Sequence, residues 1–131
     1  NEGSYLKANN KYLIQKCSQQ KGGEYAITGG HTTSGNTSFE QAIIETKEEL
    51  NLNINPNKLQ FLGSHIIGKH AMFDVFLYED NSLTNLNFTL QPEEVESVYW
   101  LTKSEFEDLI KQNLVRKSSI EHYNKFIKDN K

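Results

Sequence analysis

Apolar positions recur along the chain with two periods, one typical of strands and one typical of helices. Short apolar or alternating runs bounded by Gly, Asn or Pro predict strands. These runs are Lys11–Cys17, Glu24–Thr28, Leu59–Ile67, His70–Glu79, Phe88–Leu90 and Val95–Leu101. The run His70–Glu79 is strongly apolar, so we expect it in the middle of a sheet. Residues Asn1–Asn10 are polar and carry little pattern, so no element is predicted there.

Three capping boxes mark the starts of helices. In such a box a Ser or Thr caps the helix, and a Glu three residues later bonds back to it. The pairs are Thr37 with Glu40, Thr102 with Glu105, and Ser118 with Glu121. The first helix also has a stripe that should face the core, formed by Phe39, Ala42, Ile43, Thr46 and Leu50. Helices interspersed with short strands predict one α/β domain over residues 1–131.

Three glutamates lie near the end of the first helix, at Glu45, Glu48 and Glu49. With about 100° of rotation per residue, Glu48 lies about 60° to one side of Glu45 and Glu49 about 40° to the other. All three therefore project from one face, about 120° from the apolar stripe. No Lys or Arg lies three or four positions from any of them. Like charges at this spacing repel, and the C-terminal half of a helix disfavours anions. The pattern indicates a site for an external cation, and a solvated acidic face is the alternative.

The segment before this helix suits an oxyanion. Gly29 and Gly30 open a polar loop that also contains Gly35. Glycine lets backbone groups approach a ligand closely, and the amides at a helix N-terminus favour an anion. A phosphate-binding loop followed by carboxylates predicts a site for a diphosphate together with a divalent metal. His31 follows the glycines, and it either contacts a phosphate or packs locally.

This stretch resembles the Nudix box, whose pattern is G, five residues, E, seven residues, then R-E-U-x-E-E-x-G-U, where U is aliphatic. The matching residues are Gly30 for the first glycine, Glu45 for the glutamate after the arginine, Glu48 and Glu49 for the glutamate pair, and Leu52 for the last aliphatic position.

Four positions differ from the Nudix pattern. Asn36 replaces its first glutamate, Ile44 its arginine, Thr46 an aliphatic residue and Asn51 its last glycine. Asparagine tolerates the left-handed conformation that ends a helix, so Asn51 is a mild change. In the family the glutamate and the arginine pair to brace the loop. Because both are lost here, no buried unpaired charge remains, and we interpret the change as a brace replaced as a unit.

The resemblance implies a fold, a reaction and a set of site residues. The fold is a Nudix-type α/β/α sandwich, of the α+β kind, with a mixed curved sheet and a loop–helix–loop motif. The reaction is metal-dependent hydrolysis of a diphosphate linkage in a nucleoside diphosphate linked to another moiety, or in a similar small diphosphate. The metal, Mg²⁺ or Mn²⁺, is expected on Glu45, Glu48, Glu49 and the Gly29 carbonyl, with Gly30 and His31 beside the phosphates.

A second acidic segment also matches the family. It lies just before the predicted strand Val95–Leu101, where relatives deliver another carboxylate to the metal site. Glu94 matches that position best and Glu93 next, and a solvated acidic turn is the alternative. The family has no fixed general base, so both Glu45 and Glu94 are candidates for that role.

Two other functions fit parts of the sequence. The departures at Asn36 and Ile44 favour a non-catalytic ligand-binding or regulatory Nudix domain. The acidic segment favours the isoprenoid-diphosphate-isomerase-like branch, but that activity needs a cysteine in a histidine-flanked setting, and Cys17 lies outside one. His65 and His70 also suggest a metal site. The sequence has no second cluster of ligands to complete it, which argues against this interpretation.

Charge, hydropathy and cysteine content argue against some partners and locations for this chain. The chain has 131 residues, a net charge of −3 and a pI near 5.8, which give no electrostatic footprint for duplex nucleic acid. No apolar run approaches the roughly 18 residues of a membrane span, and no secretory signal is visible. The single cysteine excludes an internal disulfide and suits the cytoplasm. We expect a small diphosphate as partner, and the resemblance implies that a homodimer is common among relatives.

Overall fold

A sheet of seven strands lies between helices in the computed structural model, which describes residues 1–69 and 71–130. The strands are β1 (Glu2–Ala8), β2 (Lys11–Cys17), β3 (Tyr25–Ala26), β4 (Thr28–Gly30), β5 (Leu59–Ile67), β6 (Ala71–Glu79) and β7 (Val95–Leu101). The helices are α1 (Ser38–Leu50), α2 (Lys103–Lys111) and α3 (Lys117–His122), and α3 continues as a π-helical turn over Tyr123–Ile127. The predicted α+β fold with a mixed sheet is confirmed. Over the described ranges, no helix combines the length and the apolar character that crossing a membrane requires.

The first two strands diverge, and the glycine pair fills the space between them. β1 and β2 form an antiparallel hairpin that is paired at Lys7–Tyr12 and Ala8–Lys11. Farther from the hairpin turn, β3 pairs with β2 and β4 pairs with β1. On its other edge β1 pairs in parallel with β6, and β5 pairs with β6. Residues 25–30 therefore run from one diverging strand to the other and carry Gly29 and Gly30 into the sheet.

Helices cover both faces of the sheet and form two cores. Successive side chains of a strand point to opposite faces. Leu6 of β1 accordingly joins Leu50 of α1 in one hydrophobic cluster. Its neighbour Tyr5 joins Phe106 of α2 and Tyr123 in the other. This arrangement is the predicted sandwich, with α1 on one face and α2 and α3 on the opposite face.

Helix α1 begins and ends at the residues that the sequence indicates. The capping box is formed, because the Thr37 side chain accepts from the Glu40 N–H and the Glu40 carboxylate accepts from the Thr37 N–H. At the other end Asn51 adopts the left-handed conformation, with φ 55°. Ser38 Oγ also donates to the carboxylate of Asp74 on β6, which fixes the first turn of the helix to the sheet.

Two predictions for the N-terminal part are wrong. Residues Asn1–Asn10 contain β1, all seven residues of which are buried. Polar residues such as Glu2 and Lys7 hide this strand from a hydrophobicity pattern, although β1 is paired along both edges. The predicted strand Glu24–Thr28 is two short strands, and Gly29 and Gly30 lie in β4 rather than in a loop.

Two predictions for the C-terminal part are also wrong. Phe88–Leu90 is not a strand, and its apolar side chains pack against the first cluster without a backbone ladder. The third capping box does not form, because α3 begins at Lys117 with Arg116 as its uncapped N-cap. Arg116 donates its N–H to the Tyr25 carbonyl, which sets an earlier start for the helix. The oxygen Ser119 Oγ, inside the helix, accepts from the N–H of Ile27 instead.

We expect Leu50→Ala to destabilise the protein by about 2–5 kcal/mol, because truncation of a fully buried leucine loses transfer free energy and leaves a cavity. Leu50 is 0% exposed and joins α1 to the sheet. The matched control is Leu114→Ala, since Leu114 is 41% exposed and its loss should change the free energy of unfolding by less than about 0.5 kcal/mol. Urea denaturation measures both. Equal effects of the two variants would contradict the assignment of the core face of α1.

Candidate active site

Two of the three predicted glutamates lie together beside the glycine pair. Glu49 is buried, at 5% exposure, and its carboxyl group shares a hydrogen bond with that of Glu45. Gln15 Nε2 on β2 donates to Glu49 Oε1 at 3.0 Å and to Thr28 Oγ1 at 2.8 Å. Among the described residues, no Lys or Arg forms an ion pair with either glutamate. The pair therefore accepts hydrogen bonds from side-chain amides, and no Lys or Arg of the described residues neutralises it.

A third carboxylate, Glu2 of β1, joins this pair and was not predicted. The register of β1 and β4 places Glu2 opposite Gly30, and burial, together with the negative charge of Glu45, raises the pKa of Glu2. Glu2 is 1% exposed, and its Oε1 has no hydrogen-bond partner in the part of the chain that the structure describes. A single glutamate in a polar N-terminal stretch gives no signal in the sequence. Only the pairing of β1 with β4 places it at the site.

Burial shifts the protonation of this cluster. It raises the pKa of Glu49, and the hydrogen bond with Glu45 raises it further. Burial, with the charge of Glu45 as the next cause, raises the pKa of Glu2 to about 8. A buried carboxyl group without a cation is more stable when it is protonated. At neutral pH the metal-free site therefore retains protons that a cation would displace.

Both glycines of β4 are required by close contacts. A Cβ atom on Gly30 would lie 3.0 Å from Cδ and Oε1 of Glu45. A Cβ atom on Gly29 would lie 2.4 Å from the carbonyl oxygen of Glu2, which is backbone and cannot move aside. The glycine pair thus allows β1 and α1 to approach the same stretch of backbone. This reason for the glycines differs from the predicted approach of an oxyanion, and it comes from the protein itself.

Gln41 ties the loop after β4 to helix α1. Its Oε1 accepts from the Thr33 N–H at 3.2 Å and from Asn36 Nδ2 at 3.1 Å. Its Nε2 donates to Glu45 Oε1 at 3.0 Å. Asn36 stands where the Nudix pattern has a glutamate, so this position still braces the loop, through Gln41 rather than through an arginine at position 44. Gln41 is 3% exposed, and the sequence did not single it out.

The remaining predicted site residues lie around this cluster. Glu48 is exposed on α1 whereas Glu49 is buried, so the alternative of a solvated acidic face does not describe Glu49. Glu94 lies near enough for its charge to raise the pKa of Glu49, and its Oε1 is 3.4 Å from Lys21 Nζ. His31 Nδ1 lies 2.7 Å from Asn1 Oδ1 and thus packs locally.

The donor chemistry of the cluster fits a hard divalent cation, although the ligands are not arranged around one. Within residues 1–69 and 71–130, no three His, Cys, Asp or Glu residues are placed to hold a metal ion as they stand. Glu45 and Glu49 bind each other and two glutamines instead. Carboxylate oxygens are nevertheless the ligands that Mg²⁺ and Mn²⁺ prefer, and Glu2 Oε1 is an orphaned buried acceptor. Loss of the shared protons would free these oxygens for a cation.

The cysteine and the histidines take no part in this cluster. Cys17 is buried, its Sγ lies 3.4 Å from Arg116 Nη2, and burial raises the pKa of the thiol. This environment does not activate a thiol, so the isomerase alternative gains no support. The imidazole of His65 lies 5.7 Å from that of His122. The other residue of the predicted histidine metal site, His70, lies outside the described residues.

Comparison with known proteins identifies the family. A family model for the NUDIX domain matches residues 5–123, so this chain belongs to the Nudix family. A search of the curated proteins returned no match.

Solved structures share the fold over nearly the whole chain. DR0079 from Deinococcus radiodurans superposes with a TM-score of 0.81 at 18% identity, covering 96% of this chain and 81% of that one. A second match is a bifunctional NMN adenylyltransferase/ADP ribose pyrophosphatase from Francisella tularensis, complexed with AMP and a Mn ion. Its TM-score is 0.74 at 14% identity, and the match covers 94% of this chain and 39% of that one. The NUDIX domain of Shewanella oneidensis NrtR, complexed with ADP ribose, superposes with a TM-score of 0.69 at 12% identity. This match covers 94% of the present chain and 82% of the NrtR chain. At such identities the likeness shows the fold alone.

The two glycines of β4 should respond differently to substitution by alanine. We expect Gly29→Ala to cost about 1–3 kcal/mol of stability, because its Cβ meets fixed backbone. Gly30→Ala should cost less, because the atoms its Cβ meets belong to the flexible end of Glu45, which can move. Urea denaturation of the two variants side by side measures the difference. A larger loss for Gly30→Ala would contradict the proposed packing.

Metal-free protein should lose stability as the pH rises. The pKa of Glu2 is about 8 in the folded state against 4.5 for the free side chain, so the folded state binds more protons between these values. The free energy of unfolding therefore falls as pH increases through this window. Glu2→Gln should flatten this slope, since glutamine stays neutral. The exposed Glu79 serves as control, because Glu79→Gln should leave the slope unchanged. Chemical denaturation from pH 5 to pH 9 in EDTA tests this; a slope of opposite sign would refute it.

Proposed function

We propose that this protein is a metal-dependent pyrophosphohydrolase that cleaves the diphosphate linkage of a nucleoside diphosphate linked to another moiety, or of a similar small diphosphate. The observation that carries the proposal is the pair of carboxyl groups of Glu45 and Glu49, which share a hydrogen bond without a cation next to the backbone of Gly30. Uncompensated acidic groups in a buried setting favour proton or metal binding. Membership in the Nudix family supports the same reaction class.

The residues that would hold Mg²⁺ or Mn²⁺ are Glu45, Glu48, Glu49 and the Gly29 carbonyl. When bound, such an ion supplies positive charge to the phosphoryl oxygens and lowers the pKa of a coordinated water. The buried Glu2 would add a further negative charge beside the same ligands. Exposed Glu48 lies on the next turn of α1 and would close the site from the solvent side.

Other groups of the chain would orient the substrate and accept a proton. Gly30 ends β4 and His31 follows it, and the backbone of both residues would lie beside the phosphates. Glu45 touches Gly30 and is one candidate to accept the proton of the attacking water. Glu94 is the other, and its ion pair with Lys21 places a cation at the edge of the site, where it would attract an anionic substrate. A single domain, a cytoplasmic location and a homodimer remain further predictions.

A non-catalytic ligand-binding role is the second candidate. The observation that favours this role is that Glu45 and Glu49 are hydrogen-bonded to each other. Glu45 also accepts from Gln41, and Glu49 also accepts from Gln15. The brace through Gln41 would stabilise this closed arrangement and leave the site able to bind but slow to react. The structurally similar NUDIX domain of Shewanella oneidensis NrtR is complexed with ADP ribose, and this supports a ligand-binding role.

We expect the wild-type chain to release phosphate or a nucleoside monophosphate from at least one member of a panel of nucleoside diphosphate derivatives in Mg²⁺, and not in EDTA. Glu49→Gln should lower kcat/KM at least about 100-fold, because loss of a charged metal ligand removes several kcal/mol of transition-state stabilisation. The same variant should be as stable as wild type without metal, since an amide resembles the protonated carboxyl. Turnover of the panel by liquid chromatography and thermal unfolding measure these effects.

The control is Glu79→Gln, which removes an exposed carboxylate on β6 and should leave kcat/KM unchanged. Equal turnover by wild type and Glu49→Gln would show that the site is assigned wrongly. Binding of a panel member without turnover under any metal would favour the second candidate.

A further inference from the structure

A cleft lies at the far end of β1 from the carboxylates. Its volume is about 390 Å³, and its lining is Lys7, Asn10, Tyr12, Thr102, Lys103 and Ser104. We call it the β1–α2 cleft, because it lies between the β1–β2 turn and the first residues of α2. Lys7 is five residues along β1 from Glu2, which corresponds to about 17 Å of extended strand. The cleft shares no residue with the acidic cluster and is a separate feature.

Lys7 is the residue of the β1–α2 cleft that requires an explanation. It is only 7% exposed, yet its ammonium group forms no hydrogen bond or ion pair with a described residue. Its Nζ lies 5.5 Å from the centre of the Tyr12 ring, in a cation–π contact that leaves its N–H donors unused. A buried charge is costly unless it is paired. Lys7 therefore lacks the anionic partner that its position requires.

The ammonium group of Lys7 is accessible from the cleft. In residues 1–69 and 71–130, the side chains with atoms that are both sealed from solvent and unpartnered are Glu2, His65, Glu121 and His122. Nζ of Lys7 is not such an atom, and Lys7 lines the cleft. Its cross-strand neighbour Glu79 is exposed and forms no ion pair with it. A small anion can therefore reach Lys7 without displacing an existing contact.

The first turn of α2 supplies backbone donors to the same cleft. Its capping box uses two N–H groups, because the Thr102 N–H donates to the Glu105 carboxylate at 2.9 Å and the Glu105 N–H donates to Thr102 Oγ1 at 3.2 Å. The N–H groups of Lys103 and Ser104 have no acceptor in the part of the chain that the structure describes. Free N–H groups at the N-terminus of a helix bind anions.

The charges beside the cleft also favour an anion. Lys7 and Lys103 line it, and Lys11 is close enough for its charge to act on the carboxylate of Glu105. Nζ of Lys103 already donates to two backbone carbonyls near the end of the chain, so this lysine contributes charge rather than free donors. Glu105 is the acidic residue of the first turn of α2, and its carboxylate is bound to the N–H of Thr102.

This set of donors suits a phosphate group. A phosphate has several acceptor oxygens and up to two negative charges, so it can pair with an ammonium group and accept from two adjacent N–H groups together. A carboxylate has fewer oxygens and a single charge. The volume of the cleft, about 390 Å³, falls in the range of roughly 300–1,000 Å³ that is usual for small-molecule sites. The cleft therefore has room for a phosphate and for a small group attached to it.

We propose that the β1–α2 cleft binds a phosphate group, as the free ion or as the end of a small phosphate ester, with Lys7 as its counter-charge and the N–H groups of Lys103 and Ser104 as its hydrogen-bond donors. This site needs no metal and lies at the other end of β1 from the acidic cluster. It does not rest on the proposed function, so it is tested on metal-free protein.

The test titrates ¹⁵N-labelled protein in EDTA with inorganic phosphate and with glycerol 3-phosphate, and uses chloride at equal ionic strength as the reference. We expect both phosphates to shift the amide resonances of Lys103 and Ser104 with saturation and to leave those of Gly30 and His31 unchanged. Tighter binding of glycerol 3-phosphate would identify an ester as the preferred ligand, and tighter binding of inorganic phosphate would identify the free ion.

Variants of Lys7 separate recognition from a structural role. Lys7→Met keeps the length of the side chain and removes its charge, so it should weaken phosphate binding at least about tenfold. Lys7→Arg keeps the charge and should retain most of the affinity. Without phosphate, Lys7→Met should melt at the same or a higher temperature than wild type, because it removes an unpaired buried charge. Phosphate should raise the melting temperature of wild type and not that of Lys7→Met.

The matched control is Lys47→Met, which removes an exposed lysine of α1 and changes the net charge equally. It should bind phosphate as wild type does. Equal affinity of wild type and Lys7→Met would overturn the proposal, and so would identical shifts with chloride or unshifted Lys103 and Ser104 amides at the highest soluble phosphate concentration. If phosphate binds as expected but no diphosphate is hydrolysed in Mg²⁺, this inference stands and the proposed function fails.

Discussion

The close approach of β1 and α1 to the backbone of Gly29 and Gly30 is the contact on which the site depends. β1 and β2 diverge after two residue pairs, and residues 25–30 fill the space between them. A side chain on Gly29 would strike the backbone of Glu2, and one on Gly30 would strike the carboxyl group of Glu45. Because neither glycine has a side chain, a strand and a helix present carboxylates to the same few atoms. The sheet topology thus concentrates negative charge at one place.

That concentration has an electrostatic consequence. Buried charges without partners are strongly unfavourable, and proteins relieve them by protonation or by binding a counter-ion. Here the raised pKa values of Glu2 and Glu49 show the first form of relief, and Gln15 and Gln41 supply hydrogen bonds. Neither glutamine neutralises charge. A divalent cation would remove the same penalty more completely, so the features that lower the stability of the metal-free chain are the features that favour metal binding.

Local rules of helix formation predicted much of this arrangement. Thr37 and Asn51 fix the two ends of α1, and helical spacing identified Leu50 as a core residue. Spacing alone did not reveal that Glu49 is buried, because that depends on Gln15 and Thr28 of the sheet. Glu2 was missed for a related reason. Its strand is polar at several positions and is stabilised by pairing along both edges, which is a property of the topology and not of any local pattern.

The two faces of the sheet beside β4 carry different hydrophobic clusters, so the helices on the two faces are fixed by different contacts. Helix α1, which carries Glu45 and Glu49, packs on the first cluster, whereas the C-terminal helical segment packs in the second through Tyr123 and Ile127. Helix α3, which carries His122, is fixed by the bond from the Arg116 N–H to the Tyr25 carbonyl and by the contact of Ser119 with Ile27. Neither contact involves α1. Substitutions on α3 should therefore leave the geometry of the acidic cluster largely unchanged, because changes at sites without shared partners act almost independently.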